Sequence, residues 1–327
     1  MDTTKLQKID VDFSESDELL SALKSVSGNT VSLFRLTKPT TLERPKKIFG
    51  SCWAENEMAF LFAEDGAGKS IMAKQIACAI ATGTSVAPDF PNELTAQPVA
   101  LFDVELSDYQ FNSRYPEGLP ENFKRLTFSE DQQAALAKAN VDFVVEQIEL
   151  ASNQYNAKVI IMDNLSALMS MVDLTKTDHA IQLMGSLNDL KRKGFSILII
   201  DHCRKPMNSA NDFKTISKHD LQGSKMKTNL VDSVFSIGKS CLGERFRYIK
   251  ALKIRSYQME FTAKEVATME LNISPLRLEY VGRGFEFEHV NDQQAQVKKM
   301  NHSGKTQTEI ATETGITQQA VSKILSQ

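Results

Sequence analysis

The segment Leu61-Phe-Ala-Glu-Asp-Gly-Ala-Gly-Lys-Ser70 brings together the residue types that hold a polyphosphate. Gly66 and Gly68 permit backbone turns that aim several N–H groups inward at phosphate oxygens. Lys69 has the reach to meet β- and γ-phosphates, and the Ser70 hydroxyl can ligate Mg²⁺. Glu64, Asp65, Gly66, Ala67, Gly68, Lys69, Ser70 and Ile71 are the candidate nucleotide-binding residues, with Ser70 also a candidate metal ligand. This chemistry needs a strand before the loop and a helix after it. Met58 to Ala63 is an apolar run that reads as a buried strand, and Ile71 to Thr82 reads as a helix stopped by Gly83. The helix N-terminus adds positive potential at the phosphates. Strand, Gly-containing loop and helix together form a phosphate-binding P-loop. The usual first glycine of that motif is Ala63 here. A Gly-rich turn before a helix is the plain alternative, and the downstream chain argues against it.

Three further apolar runs end in polar side chains. Val99-Ala-Leu-Phe-Asp-Val-Glu105 reads as the next strand. In parallel α/β sheets, ligand groups gather at the carboxyl ends of strands. Taken alone, Glu105 reads as an acid in the first turn of a helix. With a P-loop one unit upstream, it reads as the general base for an attacking water. Ala157-Lys-Val-Ile-Ile-Met-Asp-Asn164 ends in Asp163, a carboxylate placed to hold Mg²⁺ directly or through water. Phe195 to Lys205 ends in Asp201-His-Cys-Arg-Lys. His202 reads either as a sensor of the γ-phosphate or as a cap on a strand end.

The intervening segments position these ends. Arg125 to Phe128 reads as a short strand, Asp131 to Tyr155 as a long amphipathic helix, and Leu165 to Thr177 as a loop. Asp178 to Lys193 reads as a helix stopped by Gly194, and Pro206 to Leu221 as a loop beside the active edge. Gly223 to Asp232 opens a short helix before a strand from Ser233 to Ile237. Lys225 and Lys227 there are either contacts to a nucleic-acid backbone or a solvated basic turn. Arg245 to Ile254 alternates as a strand ending in Lys253-Ile-Arg255. Two cations two positions apart on a strand share a face and can serve a neighbouring subunit's phosphate in trans. Arg277 to Tyr280 and Phe285 to His289 read as a final hairpin around Gly282-Arg-Gly284.

Composition changes after Val290. Asn291 to Met300 reads as helical, Thr306 to Glu313 as a helix with a Thr306/Glu309 capping box, and Thr317 to Leu325 as a second helix after a Gly315 turn. Ile310, Ala311, Ile316, Val321, Ile324 and Leu325 are the expected shared core. Two short helices across a Gly-containing turn make the helix-turn-helix pattern. Thr317, Gln318, Gln319, Ser322 and Lys323 are the residues expected to meet DNA, since Gln reads adenine edges and Thr, Ser and Lys hold phosphates or bases. A small helical cap for protein contacts is the alternative.

The whole chain of 327 residues is 42% hydrophobic and carries a net charge of -3, so any nucleic-acid surface is local. Cys52, Cys78, Cys203 and Cys241 match no metal-ligand spacing and read as reduced thiols of a cytoplasmic protein. No apolar run is long enough to span a bilayer. The expected organisation is a tail and linker over residues 1–45, an ATPase domain over 46–290 and a DNA-binding helix-turn-helix over 291–327.

Over about residues 45–260 the chain resembles the RecA-like NTPases of the plasmid RepA helicase type, related to the RecA, KaiC and replicative-helicase group. The resemblance rests on Ala63 to Ser70, the strand ending in Glu105 with Arg114 downstream, the run ending in Asp163 and the run ending in His202. Gly223 to Asp232 and Lys253-Ile-Arg255 complete it. It differs at Ala63, and at Asp201, where the family often has a second histidine. The resemblance implies an α/β fold, a mainly parallel sheet flanked by helices. It implies an ATPase using ATP and Mg²⁺, with Lys69 and Ser70 on the nucleotide, Glu105 as base, Asp163 near the metal and His202 as sensor. It further implies Lys253 and Arg255 acting across a subunit interface, in a ring often of six subunits with single-stranded DNA in its channel. A replication helicase or loader of a mobile element is the leading expectation. An ATP-switched DNA-binding regulator and a filament-forming recombinase are the competing ones.

Overall fold

The computed structural model describes residues 43–129, 140–171, 177–203, 213–221 and 228–326. All of these but Glu43 lie in one compact unit, Arg44–Gln327. Residues 1–42 of the expected tail and linker, the first part of the helix expected from Asp131, and the pair Lys225 and Lys227 lie outside the described residues.

Strands β1 (Lys47–Phe49) and β2 (Trp53–Ala54) form a small antiparallel ladder. Then come β3 (Met58–Ala63), β4 (Val99–Asp103), β5 (Phe123–Leu126), β6 (Val159–Asp163), β7 (Ser196–His202) and β8 (Ser233–Lys239). These six are parallel, in the order β8-β3-β7-β6-β4-β5. Beyond β8 the sheet continues antiparallel through β9 (Phe246–Lys253), β10 (Val266–Ile273) and β11 (Leu276–Gly284). The expected α/β fold with a mainly parallel sheet is present, and the antiparallel extension makes it nine strands wide among the described residues.

Strand periodicity divides the interior in two, because successive side chains face opposite sides of the sheet. Ala59, Leu61, Leu101, Ile161, Leu198 and Ile200 face one core with α1 (Lys69–Thr82), which contributes Met72, Ala73, Ile76 and Ile80. Phe60, Phe62, Ala100, Ile160, Met162, Ile197 and Ile199 face the other core. That core is covered by α3 (Val141–Gln154) and α5 (Thr177–Arg192), through Val144, Ile148, Leu183 and Leu187. A central strand such as β3, buried on both faces, must be apolar throughout, as Met58 to Ala63 is. Helix α1 ends where expected, at Gly83 with φ 68°, a left-handed position that glycine adopts without strain. A Cβ at Gly83 would also lie 2.7 Å from the Ala96 nitrogen.

Three expectations are corrected. The segment from Leu165 is not wholly loop: α4 (Leu165–Met171) starts behind Asn164, whose side-chain oxygen caps the Ala167 N–H at 2.7 Å, and it buries Leu165 and Leu168. Seven residues are too few for a periodic signal. The last hairpin is β10–β11, turning at Ser274-Pro275, and Gly282 and Gly284 sit inside β11 beside a register shift at Thr268/Met269. Phe285 to His289 is not a strand: α6 (Glu286–His289) forms there, with the Glu288 carboxylate accepting the Phe285 N–H at 2.8 Å. Finally, β9 stops at Lys253, so Arg255 lies past the strand and the period-two argument for the Lys253/Arg255 pair does not apply.

The chain closes with α7 (Gln293–His302), α8 (Gln307–Thr314) and α9 (Gln318–Leu325). The Thr306/Glu309 capping box is present, and Gly315 at φ 70° ends α8. Val297, Ile310 and Val321 form a small core lined by Met300, Ala311, Ile316, Ile324 and Leu325. Two residues before Val297, Ala295 packs instead into the large core. The Asp292 carboxylate caps α7 and also accepts the Thr215 N–H at 2.6 Å.

Candidate active site

Four strand ends meet at one edge of the sheet. Ala63 of β3 is in register with His202 of β7, and Asp103 of β4 with Asp163 of β6. Between them lies a cleft of ≈ 380 Å³, large enough for a small-molecule ligand. Asp65, Gly66, Gly68, Lys69, Ser70 and Ile71 line it from the loop, Glu105 and His202 from the neighbouring strand ends, and Arg114 from the end of α2 (Asp108–Arg114).

The loop turns at Gly66 (φ 72°) and Gly68 (φ 103°), and Gly68 caps α1. Ala63, by contrast, occupies the last residue of β3 in extended conformation, so this position asks for no glycine. Lys69 is 8% exposed and donates to the carbonyls of Ala63 (2.9 Å) and Glu64 (3.1 Å). Burial lowers its pKa, opposed by the nearby carboxylate of Asp65.

Asp163 is 6% exposed, and its Oδ1 lacks a protein hydrogen-bond partner. Burial raises its pKa to about 6, with the Ser70 hydroxyl bond working against the rise and the charges of Asp103 and Glu105 adding to it. A buried carboxylate with an unused oxygen, bonded to the hydroxyl of the P-loop serine, fits an Mg²⁺ ion. Among the described residues no cluster of three His, Cys, Asp or Glu side chains forms a protein-only cage. Mg²⁺ commonly keeps waters and phosphate oxygens in its shell, so Ser70 and Asp163 would be a sufficient protein share for it.

Glu105, Asn164, His202 and Asp65 form one hydrogen-bonded chain. With Asn164 Oδ1 engaged in the α4 cap, its Nδ2 faces Glu105 Oε2 (2.8 Å) and His202 Nε2 (3.1 Å). Nε2 therefore accepts, and the neutral imidazole carries its proton on Nδ1, which donates to Asp65 Oδ1 at 2.7 Å. Glu105 is thus tied to the P-loop through two side chains. The backbone carrying Glu105 is held from below: Asp103 Oδ1 accepts the N–H groups of Glu105 and Leu106, and Arg125 bridges Asp103, the Leu106 carbonyl and Asp108.

Asn164 is the residue that sequence reading passes over, since an Asn after a strand-end Asp carries no motif. Asn164→Asp keeps the α4 cap but places a second carboxylate against Glu105. A hydrogen bond to a charged group contributes about 1.5–3 kcal/mol. The expected result is a roughly 10- to 100-fold lower kcat for ATP hydrolysis at unchanged helix content, read by steady-state kinetics and circular dichroism.

Other expected site residues lie elsewhere. Lys253 and Arg255 are at the opposite edge of the sheet, where Lys253 pairs with Val234 near the start of β8. Lys253 Nζ donates to the carbonyls of Thr228 (2.6 Å) and Val231 (2.5 Å), and Arg255 reaches Asp232 Oδ1 at 3.2 Å. Thr317, Gln318, Gln319, Ser322 and Lys323 are all exposed at and along α9. Asp201 is buried and bonded to Ser166 Oγ at 2.6 Å, so it does not share the cleft with His202.

No curated protein matches the chain. A family described as the AAA domain matches residues 29–208, more than half of the chain and every strand end that meets at the cleft. The P-loop geometry and this match agree: the chain belongs to the AAA-domain family of P-loop NTPases.

Proposed function

We propose that the protein is a DNA-associated ATPase that works as an oligomer, of the replication helicase or helicase-loader type. The observation that carries the ATPase reading is the Glu105–Asn164–His202–Asp65 chain over the phosphate loop. Glu105 takes the proton of the attacking water, and its carboxylate is held on the γ-phosphate side by Asn164. Lys69 and the loop N–H groups stabilise charge developing on the phosphate oxygens. Mg²⁺, held by Ser70 and Asp163, supplies neutralisation of the phosphates when bound. His202 communicates the state of that oxygen cluster to Asp65 in the loop. Arg255, about half exposed at the far edge, is the cation of the Lys253/Arg255 pair best placed to serve a second subunit.

The DNA reading rests on the exposed row Thr317, Gln318, Gln319, Ser322 and Lys323, a polar face with reading and phosphate-holding groups. The same row supports the second reading, a regulator whose ATP state governs duplex binding without a motor. ATP turnover with and without single-stranded DNA separates them. A motor is expected to turn over at least several-fold faster with single strands. Turnover indifferent to single strands, together with duplex binding lost in Gln318→Ala/Gln319→Ala, moves the function to the regulator. As to membranes, no helix among the described residues is long and apolar enough to cross one.

A further inference from the structure

Packed against the phosphate loop, and not among the residues that line the cleft, is a buried cation. Arg247 is on β9, 8% exposed, and opposite Lys239 of β8 in the ladder. Its Nε donates to the Ala67 carbonyl at 3.2 Å and its Nη2 to the Gly66 carbonyl at 3.4 Å. Its Nη1 donates to the carbonyls of Glu244 and Phe246, both at 2.7 Å. Among the described residues every one of these hydrogen bonds ends on a backbone carbonyl, and no carboxylate forms an ion pair with it. Burial lowers its pKa, and no neighbouring charge offsets that.

A buried guanidinium without a counter-anion is costly to a fold, and most proteins pair one with a carboxylate. Here the groups it holds are the two peptides at the apex of the phosphate loop. In a planar trans peptide the C=O and N–H point in opposite directions. A guanidinium drawing the Ala67 carbonyl towards itself therefore turns the Gly68 N–H the other way, to the anion side, and polarises it. We infer that Arg247 is a positioning residue for polyphosphate binding: it fixes and charges the Gly66–Gly68 turn, and the phosphates of the bound nucleotide supply its missing counter-charge. This rests on the reading of the loop as the nucleotide site. It also explains why an arginine, whose planar fork spans two carbonyls at once, stands where a lysine would reach only one.

The test is binding of ATP, ADP and AMP with Mg²⁺ by wild type, Arg247→Met and Arg247→Lys, with thermal melts as the fold control. Arg247 acts through the phosphates, so Arg247→Met is expected to lose about tenfold or more in affinity for ATP and ADP and less than about twofold for AMP. Arg247→Lys, keeping charge without the fork, is expected in between. A purely structural role does not discriminate by phosphate count. Equal affinities for all three nucleotides in wild type and a folded Arg247→Met overturn the inference. If Arg247→Met does not fold, Arg247→Lys decides: an unchanged ADP-over-AMP preference overturns it, and a reduced one supports it. A wild-type chain that binds none of the three nucleotides overturns the nucleotide reading itself, a result distinct from equal binding by all variants.

Discussion

Glu105→Gln lowers kcat for ATP hydrolysis by about 10²–10⁴-fold while the affinity for ATP stays within a few-fold of wild type. The split follows from where Glu105 stands. It projects from the end of β4, across the cleft from the phosphate cradle, so the loop N–H groups and Lys69 keep their own contacts when it is changed. Gln preserves shape and can still meet Asn164, but it cannot take a proton from water. Lys69→Ala is the contrast: its ammonium is proposed as a phosphate contact, so binding and turnover are expected to fall together. Single-turnover hydrolysis and nucleotide titration on the same preparations measure both quantities. Turnover by Glu105→Gln within twofold of wild type would remove Glu105 from the role of base.

Asp163→Asn separates stability from activity in opposite directions. In the metal-free protein, burial holds the Asp163 pKa at about 6, above the usual 3.8. The folded state therefore keeps a proton that the unfolded chain releases first. Stability is fully present below about pH 4, falls as pH rises through about 6, and is level above that. A pKa displaced this far corresponds to roughly 3 kcal/mol at neutral pH. Asp163→Asn removes that pH dependence, so urea melts in EDTA at pH 8 show it as stable as wild type or more so, by up to about 3 kcal/mol. With Mg²⁺ and ATP the same variant is nearly inactive, because the unpaired Oδ1 that makes the apo site unfavourable is what a cation needs. A melt in which wild type and variant lose stability equally between pH 4 and 7 would deny the buried charge.

Much of this site is readable from local pattern. The P-loop declares itself because turn, cation and hydroxyl are contiguous, and the strand ends declare themselves because buried parallel strands are uniformly apolar until a polar residue stops them. Ala63 departs from the motif's consensus at a residue that the fold keeps extended, so the consensus glycine was no guide to need there. What the sequence does not display are contacts across long separations. Asn164 meets Glu105 59 residues away, and Arg247 meets Ala67 180 residues away, through pairings that exist only once the sheet is assembled. The strand-face argument for Lys253 and Arg255 shows the reverse failure. Their spacing suggested a shared strand face, yet strand and pair part company at Lys253, and both side chains turn to residues 228–232 of their own chain.

Helix α7 is rooted in the large core through Ala295 and reaches the small terminal core through Val297, with no slack residue between. It behaves as a lever whose fulcrum is inside the body that it serves. Its 10 residues span about 15 Å. By the same geometry, a tilt of about 10° at the root sweeps the far end through about 3 Å. With Ala295 in one core and Val297 in the other, the terminal helices are geared to the sheet rather than tethered to it. A partner docking on them meets a surface whose orientation is already set, and it loses no free energy to taking up a linker.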